Sequence, residues 1–459
     1  MPPNDQYRAD PLFAALGDDF ADSVAPARFP QHVLRRRNQN AAAAIGLGAL
    51  DDAEWIDHMA RFAPLPGNMR APLAMRYHGH QFRTYNPDLG DGRGFLYAQL
   101  RDRAGRLLDL GTKGSGQTPY SRRGDGRLTL KGGVREVLAA EMLEALGVYT
   151  SKALSLVETG EALVRGDEPS PTRSAVLVRL SHSHIRFGTF QRLAYHERPD
   201  LMHKLLEHIT AAYYPAHTQP AALFGAIVEA NARLAASWMA AGFVHGVLNT
   251  DNLNITGESF DYGPWRFLPV CDPAFTAAYF DETGLYAYGR QPEAVSWALA
   301  QLGGALTLAA GQTELEASLA RFAPTFQAAL VERLFARLRL ARGAHEADVL
   351  FAQALFDWLA ESRAGWDQFF HDWIGADYAR ARESPQAALY DAPAFTPVRA
   401  ALEARGQGAP LQAYFQRPRP VSLVIEEVEK LWEPIAAHDD WRPFEAKLAD
   451  IDALKQALA

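Results

Sequence analysis

Cysteine is almost absent from this chain. The 459 residues contain one, Cys271, so no intrachain disulfide can form, and a lone thiol fits a reducing compartment. Positive charge is not in excess either. Lys plus Arg total 46 against 54 Asp plus Glu, a net of −8, which argues against an electrostatic nucleic-acid binder. Long apolar runs are missing. The alanine-rich stretch 41–50 falls well short of the about 20 apolar residues that cross a bilayer, so no membrane partner is expected. The opening residues MPPNDQYRADPLF carry early acids and no apolar h-region, so no signal peptide is expected and the expected location is cytoplasmic. No tandem repeat of the solenoid kind is present.

What is present is ordinary globular material: 48% hydrophobic and 22% charged residues, in a length that allows two or three domains. Residues 1–75 read as an N-terminal extension with a short helix near 51–62. Strand patterns dominate from about 95 to 180. FLYAQLR (95–101) and RLLDLGTK (106–113) form a hairpin around a turn at Asp102–Gly105. ALSLVET (153–159) then turns into ALVRG (162–166), and SAVLVRL (174–180) follows a Pro/Ser-rich loop at 166–173. After Phe190 the spacing becomes helical, in 200–214 and in the long run 221–242. This order divides the chain into 1–75, a strand-rich part 76–190, a helix-rich part 191–300 and a helical tail 301–459. VERLFARLRLA (331–341) and VIEEVEKLWEPI (424–435) in the tail read as packing helices, and Trp358, Trp366, Phe369, Phe370 and Trp373 as core.

The densest chemistry lies at 245–263, HGVLNTDNLNITGESFDYG. Asp251, Asn252 and Asp261 supply hard oxygen ligands of the kind that hold a divalent cation against phosphate, and Asp-Tyr-Gly is close to the Asp-Phe-Gly whose Asp binds magnesium in protein kinases. Upstream, LGDGRG (89–94) is followed by a strand ending in Lys113 and by a helical run at 133–146 that carries Glu136 and stops at Gly147. A Gly-rich loop, a strand-end Lys and a helix Glu are the kinase N-lobe parts, in order. His78/His80 and His182/His184 have a zinc-like spacing, but no cysteine or third ligand accompanies either pair. We read them as loop histidines bonding to backbone, and TPYS (118–121) as a plain loop after Lys113.

The blocks YHGHQF (77–82), LGDGR (89–93), GTKGSGQTPYSRRGDGR (111–127), REVLAAEML (135–143), SHIRFGTF (183–190), HGVLNTDN (245–252) and DYGP (261–264) resemble the selenoprotein O family, also called the YdiU family. The resemblance implies an α+β, protein-kinase-like two-lobed fold, with a strand-rich N-lobe, a helix-rich C-lobe and extra C-terminal helices. It implies ATP bound in an orientation flipped relative to kinases, and transfer of AMP to Ser, Thr or Tyr hydroxyls of protein substrates. Carried over by position, it makes Gly90, Gly92, Arg93, Lys113, Asp125, Gly126, Arg179, Arg186 and Asp261 ATP contacts. Glu136 becomes the partner of Lys113 and Asp251 the general base. Asn252 and Asp261 become ligands of Mg²⁺, with Mn²⁺ as the alternative.

Three departures stand out. Family members often carry a selenocysteine or cysteine near the C-terminus, whereas this chain ends DALKQALA, so redox control by an intrachain disulfide is excluded. The resemblance fades after about residue 300. The kinase His-Arg-Asp is also missing, since Asn249 and Thr250 precede Asp251, which argues against control by a phosphorylated activation loop. Sequence parts leave two rivals open, an ATP-dependent kinase and a nucleotide-binding pseudokinase scaffold without turnover.

Overall fold

Alternating apolar residues and turn glycines organise the first part of the chain into strands. The computed structural model describes residues 6–166, 168–407 and 412–459. Its early strands are β1 (Ala21–Ser23), β2 (Val33–Arg37), β3 (Leu73–Met75), β4 (Gly79–Gln81), β5 (Thr84–Asn86), β6 (Leu96–Arg101), β7 (Leu107–Lys113), β8 (Leu128–Thr129), β9 (Lys152–Leu163) and β10 (Thr172–Ser181). One antiparallel sheet runs β1-β3-β6-β7-β10-β9-β2, with β8 against β10, while β4 and β5 pair separately. The stretch before residue 76 therefore supplies β1, β2 and β3, and both edge strands of the sheet come from it.

The β6–β7 hairpin lies where its pattern places it, with Gly105 at φ 80 donating to the Asp102 carbonyl at 3.0 Å. One element differs from the sequence reading. Residues 152–163 form the single strand β9 instead of two strands around a turn. Glu158 pairs with Ala175 and Ala162 with Arg173, so Thr159, Gly160 and Glu161 stand opposite Ser174 alone. Gly160, at φ 75, lets the chain bulge and continue where it was read as reversing.

Helices cover the sheet on both sides. The first are α1 (Gln39–Ala44), α2 (Asp52–Met59), α3 (Leu130–Ala145), α4 (Phe187–Tyr195), α5 (Pro199–Tyr213), α6 (Pro220–Ala241) and α7 (Gln291–Leu306). Asp51 and Glu54 form a capping box that starts α2. The Thr129 hydroxyl accepts from Gly132 N at 3.1 Å and starts α3, three residues earlier than its periodicity suggests. The period-2 alternation of β10 decides which face each helix covers. Ala175 and Leu177 share a core with Val134, Val137 and Leu138 of α3. Val176, Val178 and Leu180 meet Ile45, Leu47, Trp55 and Met59 on the other face.

The tail packs as helices, with Trp358, Trp366, Phe369, Phe370 and Trp373 all buried in one cluster. Its last helix, Arg442–Leu458, lies on α3, and Ile451 and Leu454 enter the same core as Val137 and Leu138. Lys131 pairs with Glu429 at 2.7 Å and Lys455 with Glu144 at 3.0 Å. The tail thus braces the helix that carries Glu136. Among the described residues, no helix is long and apolar enough to cross a membrane. Cys271 is buried, and burial raises its thiol to about 11, with Asp272 adding to the effect.

Gly242 closes α6 in the left-handed region at φ 68, and a Cβ there would stand 2.2 Å from Trp366 Nε1. Gly242→Ala is expected to destabilise the protein by at least about 1–2 kcal/mol from backbone strain alone, with displacement of Trp366 adding to that. An unchanged denaturant midpoint would show that Trp366 does not pack where the structure puts it.

Candidate active site

A cleft of about 680 Å³ opens between the sheet and the 245–263 segment. Gly90, Gly92, Arg93, Lys113, Asp125, Gly126, Arg179, Arg186, Asp251 and Asp261 all line it. Its roof is the Gly-rich loop, where glycine is needed for close approach. A Cβ on Gly90 would fall 2.3 Å from the Tyr120 ring, and one on Gly94 2.0 Å from the Thr112 carbonyl. The TPYS loop clamps this roof. Thr118 Oγ1 donates to the Asp91 carbonyl at 2.5 Å, Ser121 Oγ donates to the Gly92 carbonyl at 2.6 Å, and the Tyr120 hydroxyl donates to Asp22.

The floor is a cluster of charges centred on Asp261. Lys113, at the end of β7, donates to Glu136 of α3 and, at 2.6 Å, to Asp261 Oδ1. Arg179 of β10 reaches Asp261 Oδ1 at 3.3 Å and Glu136 at 3.9 Å. Arg186, the residue before α4, lies 3.5 Å from Asp261 Oδ2 and 3.6 Å from Asp91, with its guanidinium between the rings of Tyr77 and Phe260 at 4.8 Å each. Burial pushes the Asp261 carboxyl up, but Lys113, Arg179 and Arg186 outweigh it and hold the group well below the usual carboxylate range. Asp261 itself stands at φ 63, a left-handed conformation that costs a non-glycine residue about 1–2 kcal/mol and turns its carboxylate into this cluster. Three cations here face the carboxylates of Glu136, Asp261 and Asp91, so the floor is close to neutral by itself.

The neighbouring loop is pinned from several sides. Arg186 Nη1 donates to the Asp251 carbonyl at 2.5 Å. The Asn249 side-chain oxygen accepts from Phe82 N at 3.1 Å and from the Tyr286 hydroxyl at 2.8 Å. Thr250 Oγ1 accepts from His80 N at 2.8 Å and donates to Gln191 at 2.7 Å. The His245 ring pairs with the Phe260 carbonyl at 3.0 Å and so ties this loop to the turn before Asp261. The result is an Asp251 that is 8% exposed and whose Oδ1 has no hydrogen-bond partner. Burial raises its carboxyl to about 6, Arg186 opposing and Asp261 adding. Such a group is poised to take a proton near neutral pH. Asn252 donates its amide nitrogen to the Val247 carbonyl at 3.0 Å, which leaves its oxygen as the atom a cation could use.

One carboxylate, that of Asp261, and one amide oxygen, that of Asn252, suit a hard cation. Among the described residues no group of three or more His, Cys, Asp or Glu is disposed to hold a metal. The donor set therefore fits a cation shared with the oxygens of a bound polyphosphate, and does not fit a closed protein cage.

Several parts of the site escaped sequence reasoning. Asp91, the half-buried counterion of Arg186, lay inside LGDGRG, which read only as a Gly-rich loop. Arg165 pairs with Asp125 at 2.8 Å and lines the cleft, from a stretch read only as strand. Arg122 and Arg127 did not escape: they belong to the arginine cluster of the motif half that fits a polyphosphate pocket, and both line the cleft, Arg127 paired to Glu161 at 2.8 Å. The histidine pairs bond mainly to side chains, not to backbone as expected. His78 pairs with the Tyr85 hydroxyl at 2.8 Å, His80 with Gln191 at 2.8 Å, His182 with the Tyr149 hydroxyl at 2.7 Å and His184 with Asp109 at 3.3 Å.

Comparison with known proteins gives the family of the chain. The family described as "Protein adenylyltransferase SelO" matches residues 4–452. A Synechococcus elongatus protein named "Protein nucleotidyltransferase YdiU" is 46% identical over 472 residues, covering 96% of this chain and 94% of the relative. A Gloeobacter violaceus protein of the same name is 47% identical over 465 residues, covering 96% and 94%. An Azotobacter vinelandii protein, again of that name, is 40% identical over 370 residues, covering 79% and 74%. The match continues to residue 452 and corrects the expectation that resemblance ends near 300. The chain belongs to the SelO family of protein adenylyltransferases, enzymes of the nucleotidyltransferase class.

Proposed function

We propose that this protein transfers AMP from ATP to Ser, Thr or Tyr hydroxyls of other proteins and releases pyrophosphate. The observation that carries the reading is the unpartnered Oδ1 of Asp251 beside the Lys113–Arg179–Arg186 cluster. One group there can receive a proton, and three cations beside it can offset the charge of a leaving polyphosphate. In this reading residues 76–190 and 191–300 act as the two lobes of a kinase-like fold. ATP lies between them in the flipped orientation, with the α-phosphate toward Asp251. A single buried thiol supports a reducing, cytoplasmic setting.

The acceptor oxygen bonds to the α-phosphorus as the bond to pyrophosphate breaks, and the hydroxyl proton passes to Asp251 Oδ1. Arg186 holds the Asp251 backbone in place during this step. Lys113 and Arg179 draw the phosphates inward, and Glu136 fixes Lys113. Asn252 through its oxygen, and Asp261, would hold Mg²⁺ (or Mn²⁺) against the phosphates. Bound there, the ion supplies positive charge to phosphate oxygens.

Two experiments test this. In the first, the protein is incubated with Mg²⁺, a protein acceptor and ATP labelled at either the α or the γ phosphate. Label from the α position with a mass gain of one AMP is expected. Label from the γ position alone would mean a kinase, and tight binding without transfer would mean a scaffold.

The second experiment compares Asp251→Asn with Asp261→Asn by calorimetric ATP·Mg²⁺ binding and turnover, with melting as the folding control. Asp251→Asn should keep binding and lose about 10²–10⁴-fold in transfer, whereas Asp261→Asn should lose both. Because Asp251 must be ionised to accept a proton and its carboxyl lies at about 6, the rate should rise with pH through that value and level off above it. Equal loss of binding in both variants would make Asp251 a metal ligand and misassign the base.

A further inference from the structure

The cations deep in the cleft are neutralised by their own acids, and Arg127 and Arg165 are paired as well, but Arg122 and Arg123 are not. Arg122 and Arg123 are exposed and line the same cleft. Among the described residues neither makes an ion pair or a side-chain hydrogen bond. Unpaired guanidinium groups side by side repel each other, and a protein of net charge −8 has ample acid elsewhere to pair with them. Their backbone is also unusual. Both stand at positive φ, 46 and 70, where each non-glycine residue costs about 1–2 kcal/mol.

The loop that presents them is not loose. Ser121 Oγ accepts from Thr118 N at 2.8 Å while donating to the Gly92 carbonyl at 2.6 Å. Gly124 N donates to the Ser121 carbonyl at 2.7 Å, and Gln117 Nε2 to the Gly124 carbonyl at 2.7 Å. The arginines are therefore carried on a fixed arch over the cleft. Arg122 and Asp251 line the same cleft.

We propose that Arg122 and Arg123 bind the α-phosphate of the nucleotide, with Arg122 a catalytic residue that offsets charge on the α-phosphate oxygens during transfer. This rests on the AMP-transfer reading. There the acceptor hydroxyl is beside Asp251, so the α-phosphorus it attacks must be near Asp251 as well, and Arg122 and Arg123 are unpaired cations that line the cleft together with Asp251. As the acceptor oxygen bonds to phosphorus and pyrophosphate leaves, charge on the two non-bridging α oxygens rises. A planar guanidinium with no competing partner can bond both.

The test uses the full-length protein and the variants Arg122→Gly, Arg122→Lys and Arg123→Gly. Glycine suits positive φ, so the glycine variants should melt no lower than the unaltered protein, which separates function from folding. Turnover is measured with ATP and with each diastereomer of ATP carrying sulfur on the α-phosphate, using casein as an acidic acceptor and histone as a basic one. Arg122→Gly is expected to lower kcat about 10²-fold with KM for ATP nearly unchanged, equally for both acceptors, and to shrink the rate ratio between the two sulfur diastereomers. Arg122→Lys should recover only part of the loss, and Arg123→Gly should show a smaller one. An unchanged kcat, or a loss confined to casein, would overturn the assignment, the latter by showing that the arginines serve acidic acceptor residues. If the unaltered protein transfers no α-label, the AMP-transfer reading fails and the role of Arg122 with it. If it does transfer and Arg122→Gly is fully active, only the role of Arg122 fails.

Discussion

Asp261 is the charge around which the cleft is assembled. Cations from three separate segments, Lys113, Arg179 and Arg186, converge on its carboxylate, and its left-handed backbone turns it toward them. Arg186 then reaches the Asp251 carbonyl, so the loop bearing the proposed base is positioned through the same cluster. The Lys113–Glu136 pair is 6% and 2% exposed. Breaking one side of such a pair costs about 3–5 kcal/mol, although replacing both sides with apolar groups is often neutral or better. Stability alone gives little reason to keep so much buried charge. A set of ion pairs that an incoming phosphate and cation can exchange into gives a better one.

The rest of the fold holds this cluster in register. β7 and β10 are neighbours in the sheet, so Lys113 and Arg179 lie on adjacent strands, and α3 packs over β9 and β10 to present Glu136. The C-terminal helix lies on the far side of α3. The tail's contribution to the site is thus mechanical, reaching Lys113 through Glu136. The segment before residue 76 contributes as well, since Asp22 of β1 receives the Tyr120 hydroxyl of the clamp over the Gly-rich loop.

What the sequence made legible was local. LGDGRG, the strand-end Lys113, Glu136 and the 245–263 segment could be read because glycine, lysine and paired acids at short spacing have few structural uses in common. The hairpin and the long helices followed from periodicity and turn residues. What escaped was long-range or ambiguous. Asp91 becomes a counterion only when Arg186, far along the chain, folds over it, and no local pattern announces this. Arg165 looked like the end of a strand because its partner Asp125 lies 40 residues away in sequence. The tail left no motif, since helix packing constrains the spacing of apolar residues more than their identity.

The account's central claim is that the acids of the cleft are held by its own cations until a polyphosphate displaces them, so that cation and nucleotide bind together. Calorimetric titration of Mg²⁺ into the protein, with and without a non-hydrolysable ATP analogue, tests this directly. The account predicts no measurable Mg²⁺ binding to the nucleotide-free protein and clear binding once the analogue is present, lost in Asp261→Asn. Mg²⁺ binding of equal strength in the two titrations would contradict it.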